Sequence, residues 1–294
     1  MPKIKANNIE IEYDTFGDPS GEPLLLIMGL GTQMIAWDSE FCQKLVNRGF
    51  YVIRFDNRDI GLSTKFNHLG KPNIMKLVIA FQKGEKVEAP YTLYDMTDDA
   101  LGLLNALGIN KAHICGASMG AMITQTMAVK YPDKVLSITS IMGTTGIPDP
   151  SQTKPEAMQV LSKPAPTERE AYIEDAIKRR KILHGTGYPY DEERIRRLAE
   201  LSYDRCFNPD GLIRQMAAVL ATGSRKEDLS NIQCPTLVIH GSDDPLVSVE
   251  GGRDTAEAIE GAELLIIEGM GHSLPVETWE RIADAIAKNA AKAH

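Results

Sequence analysis

A serine stands between small residues at the point where a hydrophobic run is interrupted. The stretch HICGASMGAMI, residues 113–123, places Ser118 at the centre of a Gly-Ala-Ser-Met-Gly sequence. Between a strand and a helix, Gly-x-Ser-x-Gly is typical of a strained turn that lifts the serine hydroxyl clear of the sheet. Gly116 and Gly120 remove side chains that would collide in such a turn. Because an exposed serine hydroxyl can attack a carbonyl carbon, Ser118 is the candidate nucleophile.

A serine hydroxyl is a poor nucleophile at neutral pH, so a base must take its proton and an acid must orient that base. The chain has six histidines, and His272 is the best candidate for the base because it lies in a glycine-flanked loop, EGMGHSLP, after the last predicted strand. The others are less suitable: His113 lies inside a predicted strand, His240 precedes the acid and is expected to support its loop, His294 is terminal, and His68 and His184 lie in regions that do not align with the sheet.

The acid should lie between the serine and the histidine, since Ser, Asp, His is the chain order expected with this serine motif. The sequence HGSDDP, at the end of the apolar run PTLVIHG, offers two adjacent carboxylates, Asp243 and Asp244. Their positions in the sequence barely separate them.

Strands and helices must alternate to bring these three side chains together. IKANNIEIEYDTFG predicts a hairpin, whereas PLLLIMG, YVIRFD, KAHICG and KVLSITSIMG are short apolar runs typical of buried strands. Helical spacing in SEFCQKLVNRG, TLYDMTDDALGLLNALGI and MGAMITQTMAVKYP separates them. This order predicts an α/β protein with a mostly parallel sheet and right-handed crossovers.

The alternation stops at about residue 146 and resumes at about residue 233. TEREAYIEDAIKRRKIL, YDEERIRRLAELSYDRC and PDGLIRQMAAVLATG have helical periodicity with no strand candidate between them. PTLVIHG, AELLIIEGMGH and the closing helix PVETWERIADAIAKNAAKA then restore the pattern. We therefore expect a core formed by residues 1–145 and 233–294 and a helical insert formed by residues 146–232, with the proline-rich GIPDPSQTKP at its start.

These motifs resemble the α/β-hydrolase family along nearly the whole chain. The resemblance implies an α/β-hydrolase fold, with a mostly parallel central sheet flanked by helices and a helical cap insertion. It also implies that the acid takes the last place of a Gly-x-x-Asp turn, which selects Asp244 over Asp243. Asp243 would then be a solvated or hydrogen-bonded neighbour.

The segment LLLIMGLGTQMIAW resembles the family's loop after the first central strand. In that loop a backbone N–H helps to form the oxyanion hole, and the resemblance assigns this role to Leu30. It assigns the second N–H donor to Met119, the residue after Ser118. Met28 replaces the usual histidine, which puts the loop's supporting hydrogen bonds in question, and Trp37 is expected to pack beneath the loop. Met28 and Gly29 are assigned to substrate binding.

A second segment, WDSEFCQKLVNRGFYVIRFDNRDIGLST, is similar to the aclacinomycin methylesterase-like bacterial esterases. It contains an Arg-Asp-x-Gly run where Arg-Gly-x-Gly is commoner. Because Arg58 lies between Asp56 and Asp59, we expect a neutralised ion-pair network that holds this loop, and no metal site.

The composition excludes several classes of function. A net charge of -8 without a dense Lys/Arg block argues against nucleic-acid and membrane partners. The N-terminal residues lack a signal-peptide pattern, so a cytoplasmic location is expected. The four cysteines lack disulfide or zinc spacing, and Cys115 is expected to be a buried core residue despite its closeness to Ser118. The oligomeric state stays open, a homodimer included.

The sequence thus predicts a serine carboxylesterase that acts without a cofactor on a small-molecule ester, small to medium in size and hydrophobic. Two alternatives remain: a perhydrolase or cofactor-free haloperoxidase with the same triad, and a non-catalytic ligand receptor on the same fold. Most apolar positions of the insert are expected to pack the insert itself, and a minority to line a substrate pocket with Met28, Leu30 and Met119. The positions concerned are Met158, Leu161, Leu198, Leu201, Ile213, Met216 and Leu220.

Overall fold

The computed structural model describes residues 2–146 and 152–293, and eight strands of this part form one sheet. The strands are β1 (Lys3–Ala6), β2 (Ile9–Phe16), β3 (Glu22–Ile27), β4 (Phe50–Phe55), β5 (Ala112–Ala117), β6 (Val135–Ile141), β7 (Thr236–Gly241) and β8 (Glu263–Ile267). Their order is β1-β2-β4-β3-β5-β6-β7-β8. β2 is antiparallel to β1 and β4, and the other neighbours are parallel, which confirms the predicted sheet.

The helices that the sequence predicts are all present, and four more accompany them. The predicted ones are α1 (Ser39–Val46), α3 (Leu93–Ala106), α4 (Met119–Lys130), α6 (Arg169–Leu183), α7 (Glu192–Arg205), α8 (Pro209–Thr222) and α11 (Trp279–Ala290). The others are α2 (Ile74–Gln82), α5 (Pro155–Ser162), α9 (Lys226–Leu229) and α10 (Val249–Ala258). None of the helices in the described ranges has the length and the apolar run that crossing a membrane requires.

The central strands are buried because helices cover both faces of the sheet. Along β3, Leu25 and Ile27 join the core beneath α3 and α4, whereas Leu24 and Leu26 join the core beneath α1 and α11. This alternation explains why PLLLI is an unbroken apolar run. Trp37 belongs to the second core and stacks on a phenylalanine of α1 at 5.8 Å between ring centroids, so its predicted packing role is confirmed.

Helices α5 to α9 lie between β6 and β7 in the chain, and the described residues of this stretch contribute no strand to the sheet. Helix α6 packs against α7 through a small apolar cluster of its own that includes Ile173, Ile177 and Ala199. Of the predicted start of the insert, GIPDPSQTKP, residues 147–151 lie outside the described residues. The boundaries at 146 and 232 stay predictions.

Candidate active site

Ser118 occupies the predicted turn between β5 and α4. Its backbone has φ 57° and ψ -119°, a region that residues other than glycine rarely adopt. A Cβ on Gly116 would lie 2.1 Å from the carbonyl oxygen of Gly120, and one on Gly120 would lie 2.0 Å from that of Ile27. Both positions therefore require glycine, and the predicted strained turn is confirmed.

The loops after β5, β7 and β8 bring the three predicted catalytic side chains into one chain of hydrogen bonds. His272 Nε2 lies 2.9 Å from Ser118 Oγ. The other ring nitrogen, Nδ1, lies 2.7 Å from Asp244 Oδ2. These are the contacts that a nucleophile, its base and an orienting acid require.

The surroundings of Asp244 keep it ionised at neutral pH. Its Oδ1 accepts the backbone N–H groups of Leu246 and Val247, each at 2.9 Å. Burial acts to raise the pKa of Asp244, but the charge of His272 and hydrogen bonds from His240 and His272 outweigh it and hold the pKa well below its usual range. An ionised carboxylate beside Nδ1 suits the role of orienting acid.

The neighbouring carboxylate points away from the histidine. Asp243 accepts hydrogen bonds from the hydroxyls of Thr186 and, at 2.9 Å, Ser242. The Thr186 bond is the largest of the effects that lower the pKa of Asp243. Asp243 is thus the hydrogen-bonded neighbour that the sequence predicts.

His240 supports the acid loop, as predicted. It is fully buried in β7, and its Nε2 lies 2.9 Å from the carbonyl oxygen of Val247 and 3.5 Å from Asp244 Oδ2. His113, inside β5, has its Nδ1 2.8 Å from Ser137 Oγ. His294 lies outside the described residues.

The loop after β3 runs beside the serine turn. A Cβ on Gly29 would lie 3.1 Å from Ser118 Cβ, so this glycine allows the close approach. Within the described part of the chain, no acceptor pairs with the backbone N–H of Leu30 or of Met119. Met119 is the first residue of α4, where the helix dipole favours a developing negative charge. Two unpaired N–H groups are thus available to an oxyanion, and this role stays a prediction.

Residues far away in the chain supply the hydrogen bonds that the replacement of histidine by Met28 put in question. Asn57 Nδ2 donates to the carbonyl oxygen of Met28 at 2.9 Å, and Gln215 Oε1 accepts the N–H of Gly31 at 2.9 Å. Gln215 also donates to the carbonyl oxygen of Arg58 at 2.9 Å. Neither Asn57 nor Gln215 was predicted from the sequence, because neither lies in a motif that indicates this role.

The ion-pair network predicted at residues 56–59 is present, but its pairs join this loop to other elements of the chain. Arg58 pairs with Asp99 of α3, at 2.6 and 2.8 Å, and with neither of the acids beside it. Successive side chains of this loop point in different directions, so each finds its partner on another element.

The two acids of that loop instead bind arginines of the insert. Asp56 accepts from Arg205 of α7 at 2.9 Å, and Asp59 accepts from Arg214 of α8 through two bonds of 2.8 Å. Asp56, Asp59 and Arg214 are buried. These pairs fasten α7 and α8 to the core beside the loop that carries Leu30.

Cys115 is a structural residue, as predicted. It is fully buried in β5, and burial raises the pKa of its thiol well above the usual range. A thiol that stays protonated is not a nucleophile.

A cleft of about 1980 Å³ lies between the carboxyl edge of the sheet and helices α5 to α8. Ser118, His272, Met28 and Gly29 line it. The prediction that only a minority of the insert's apolar positions line the pocket is wrong, because all of these side chains except the buried Leu220 are half-buried or exposed. All but Ile213 line the cleft: Met158, Leu161, Leu198, Leu201, Met216 and Leu220.

Comparison with known proteins agrees with the fold. The model of the alpha/beta hydrolase fold family matches residues 22–277. Rhodomycin D methylesterase DnrP of Streptomyces peucetius is 30% identical over 97% of this chain and 97% of its own length. DauP of Streptomyces sp. strain C5, also a rhodomycin D methylesterase, is 29% identical over 96% of this chain and 95% of its own. The crystallised meta-cleavage product hydrolase of Pseudomonas fluorescens IP01 superposes with a TM-score of 0.76 at 21% identity, over 100% of this chain and 98% of its own.

Proposed function

The chain belongs to the α/β-hydrolase family, and on that premise we propose that it hydrolyses carboxylic esters through Ser118, His272 and Asp244. The observation that carries the proposal is the unbroken hydrogen-bond chain from the Ser118 hydroxyl to the Asp244 carboxylate. Ser118 stands at a strained turn, which is typical of a nucleophile and supports this role.

In the first half of the reaction, Ser118 Oγ attacks the ester carbonyl carbon while His272 Nε2 takes its proton. Asp244 accepts a hydrogen bond from Nδ1–H of the imidazole, which fixes the tautomer that leaves Nε2 free to act as a base. The same nitrogen then protonates the leaving alkoxide. An acyl group remains on Ser118.

In the second half, a water molecule attacks this acyl group as His272 takes the water's proton. The bond between the acyl carbon and Ser118 Oγ then breaks, His272 returns the proton to Oγ, and the acid product leaves. Each tetrahedral intermediate carries a negative oxygen, which the N–H groups of Leu30 and Met119 bind. A preorganised donor of this kind typically contributes about 3 kcal/mol to the transition state. No cofactor enters these steps.

The walls of the cleft support an ester that is largely hydrophobic. Met28, Leu30 and Met119 line it beside Ser118, together with the apolar positions of the insert. The volume exceeds the roughly 300–1,000 Å³ of common ligand sites, so bulky groups fit as well. Two relatives are named as methylesterases of rhodomycin D, which supports the inclusion of bulky methyl esters.

Residues 146–232 act in this proposal as a cap that selects the substrate. Their helices supply one wall of the cleft, and the buried pairs at Arg205 and Arg214 hold that wall against the core. The insert begins after the end of β6, at the carboxyl edge of a parallel sheet, where ligands of such folds bind. The cap takes no part in bond making.

We place the enzyme in the cytoplasm, and its cysteines support this. Cys42, Cys115, Cys206 and Cys234 are all free thiols. Free thiols are usual where the compartment is reducing.

The test is a screen of p-nitrophenyl esters of graded acyl length, together with bulky methyl esters, against the wild type and Ser118→Ala. We expect the wild type to hydrolyse several of them and the variant to hydrolyse none. Added hydrogen peroxide tests the perhydrolase alternative, because peracid would then form faster than the free acid. Equal turnover by the wild type and Ser118→Ala would refute the proposed function.

A further inference from the structure

Nearly all arginines that line the cleft are neutralised by a carboxylate of the same chain. The pairs are Arg54 with Asp14, Arg179 with Asp175, Arg194 with Asp38, Arg197 with Glu193, and Arg253 with Glu250. Such pairing is expected, because an unpaired cation in a partly apolar wall loses hydration without compensation.

Arg180 is the exception. It lines the cleft and is half-buried. Within residues 2–146 and 152–293 its side chain has neither an ion pair nor a hydrogen bond. Burial lowers its pKa, and the ionisable groups that act on it are the phenols of Tyr172 and Tyr190, which carry no charge at neutral pH. The guanidinium therefore faces the cleft with its donors unused.

Other buried arginines find hydrogen-bond partners within the chain. Arg225 donates to the carbonyl oxygens of Thr144 and Gly223 at 2.7 and 2.9 Å, and Arg214 forms its double bond with Asp59. Because these arginines are paired within the chain, the unused guanidinium N–H donors of Arg180 indicate an acceptor that the chain does not itself contain.

Arg180 lies near the catalytic histidine. Helix α6 ends at Leu183, three residues after Arg180, which corresponds to a rise of about 4.5 Å along the helix. At this end the chain touches the loop before His272: the N–H of Gly271 donates to the carbonyl oxygen of His184 at 3.0 Å, and Leu183 also lines the cleft. A group bound to Arg180 thus belongs to a molecule in the same cleft as Ser118.

We propose that Arg180 binds a negatively charged group of the substrate, so that the preferred ester is apolar over most of its surface and carries one anion. This inference rests on the proposed function and deepens it. A carboxylate, phenolate or enolate oxygen suits a guanidinium, whose planar fork can donate two parallel hydrogen bonds to it. The remaining walls of the cleft, which are largely apolar, bind the rest of the molecule.

The experiment compares esters matched in length that differ in one charge. The first series consists of mono-p-nitrophenyl esters of dicarboxylic acids, each paired with the p-nitrophenyl alkanoate of equal chain length. The second series carries the carboxylate on the alcohol, as in p-carboxyphenyl esters paired with p-nitrophenyl esters. The quantity measured is the ratio of kcat/KM for the charged ester to that for its neutral partner.

In the wild type this ratio should peak at one chain length and fall as ionic strength rises, because salt screens the interaction. Arg180→Gln should lower the peak ratio on the order of 10- to 100-fold, the size expected of a charge-assisted hydrogen bond. Arg180→Lys should retain part of it. The matched control is Arg197→Gln, an arginine of the same wall whose side chain is 65% exposed and 3.8 Å from its acid, and it should leave the ratio unchanged.

Two results would overturn the proposal: a wild-type ratio without a peak in either series, or an equal ratio in the wild type and Arg180→Gln. If Arg180→Gln does not fold, the Arg180→Lys variant and the salt dependence of the wild type replace it. A ratio that is equal in the wild type and Arg180→Lys, and that does not fall as salt rises, would then overturn the proposal. Failure of the proposed function would look different, since the wild type would then hydrolyse neither the charged nor the neutral esters.

Discussion

The side chain of Gln215 offers a test of how the cap assists the chemistry in the core. It is fully buried in α8, accepts the N–H of Gly31 and donates to the carbonyl oxygen of Arg58, each at 2.9 Å. Gly31 follows Leu30, whose N–H we assign to the oxyanion hole. Replacement of Gln215 by leucine keeps a similar volume but removes both hydrogen bonds.

The expected magnitude follows from these two contacts. The substitution leaves two backbone groups without partners, and each such group costs about 1–3 kcal/mol where water cannot reach it. Gly31 is half-buried, so water can replace part of its bond, and we expect a total loss of about 2–4 kcal/mol of unfolding free energy. A misplaced Leu30 N–H should also lower kcat by about 10- to 100-fold, because a full oxyanion donor contributes about 3 kcal/mol.

The assay measures kcat and KM with a neutral p-nitrophenyl ester and the free energy of unfolding in urea. The matched control is Gln125→Leu, since Gln125 is also fully buried and bonds Arg225 and Ser140 instead of the oxyanion loop. Both variants should lose stability, but only Gln215→Leu should lose kcat with little change in KM. Equal kcat losses in the two variants, or an unchanged kcat in Gln215→Leu, would refute this positioning role.

Three further predictions concern the acid and the cap. Asp244→Asn should lower kcat by about 10⁴-fold and Asp243→Asn by far less, since only Asp244 contacts the imidazole; a reversed order in ester assays would contradict the assignment. Folding lowers the pKa of Asp244, so the ionised carboxylate should contribute its full stabilisation above the unfolded-state pKa of about 4 and lose it progressively as the pH falls below that value. Urea titrations of the wild type and Asp244→Asn between pH 2 and 7 would measure this difference. Arg214→Met should cost about 3–5 kcal/mol, because it leaves the Asp59 carboxylate buried without its partner, and a second change, Asp59→Asn, should recover part of that loss.

The Gly-x-Ser-x-Gly motif was enough to predict the turn at Ser118. Gly116 is required by the carbonyl group of Gly120 inside the turn, whereas Gly120 is required by the approach of Ile27 and Met28 at the end of β3. The strands could also be predicted, since burial on both faces makes each of them a short apolar run. The choice of Asp244 over Asp243 needed the family resemblance, because the direction of each carboxylate is set by tertiary contacts.

Features that depend on distant contacts could not be predicted. Helix α2 went unnoticed because its sequence, IMKLVIAFQ, is apolar on nearly all sides and lacks the polar face by which an amphipathic helix is recognised. The partner of Arg58 lies 41 residues away, and that of Gly31 lies 184 residues away. Pairings of this kind have no local sequence signal, since they arise only when distant elements of the chain pack together.

The central claim is that Ser118 carries the acyl group during ester hydrolysis. Rapid-quench mass spectrometry of the intact protein with a p-nitrophenyl ester, followed by peptide mapping, tests it most directly. We predict one acyl group per chain, located on Ser118, which accumulates more in Asp244→Asn if deacylation is slowed more than acylation. A p-nitrophenol burst without any acylated peptide, or an acyl group on a residue other than Ser118, would contradict it.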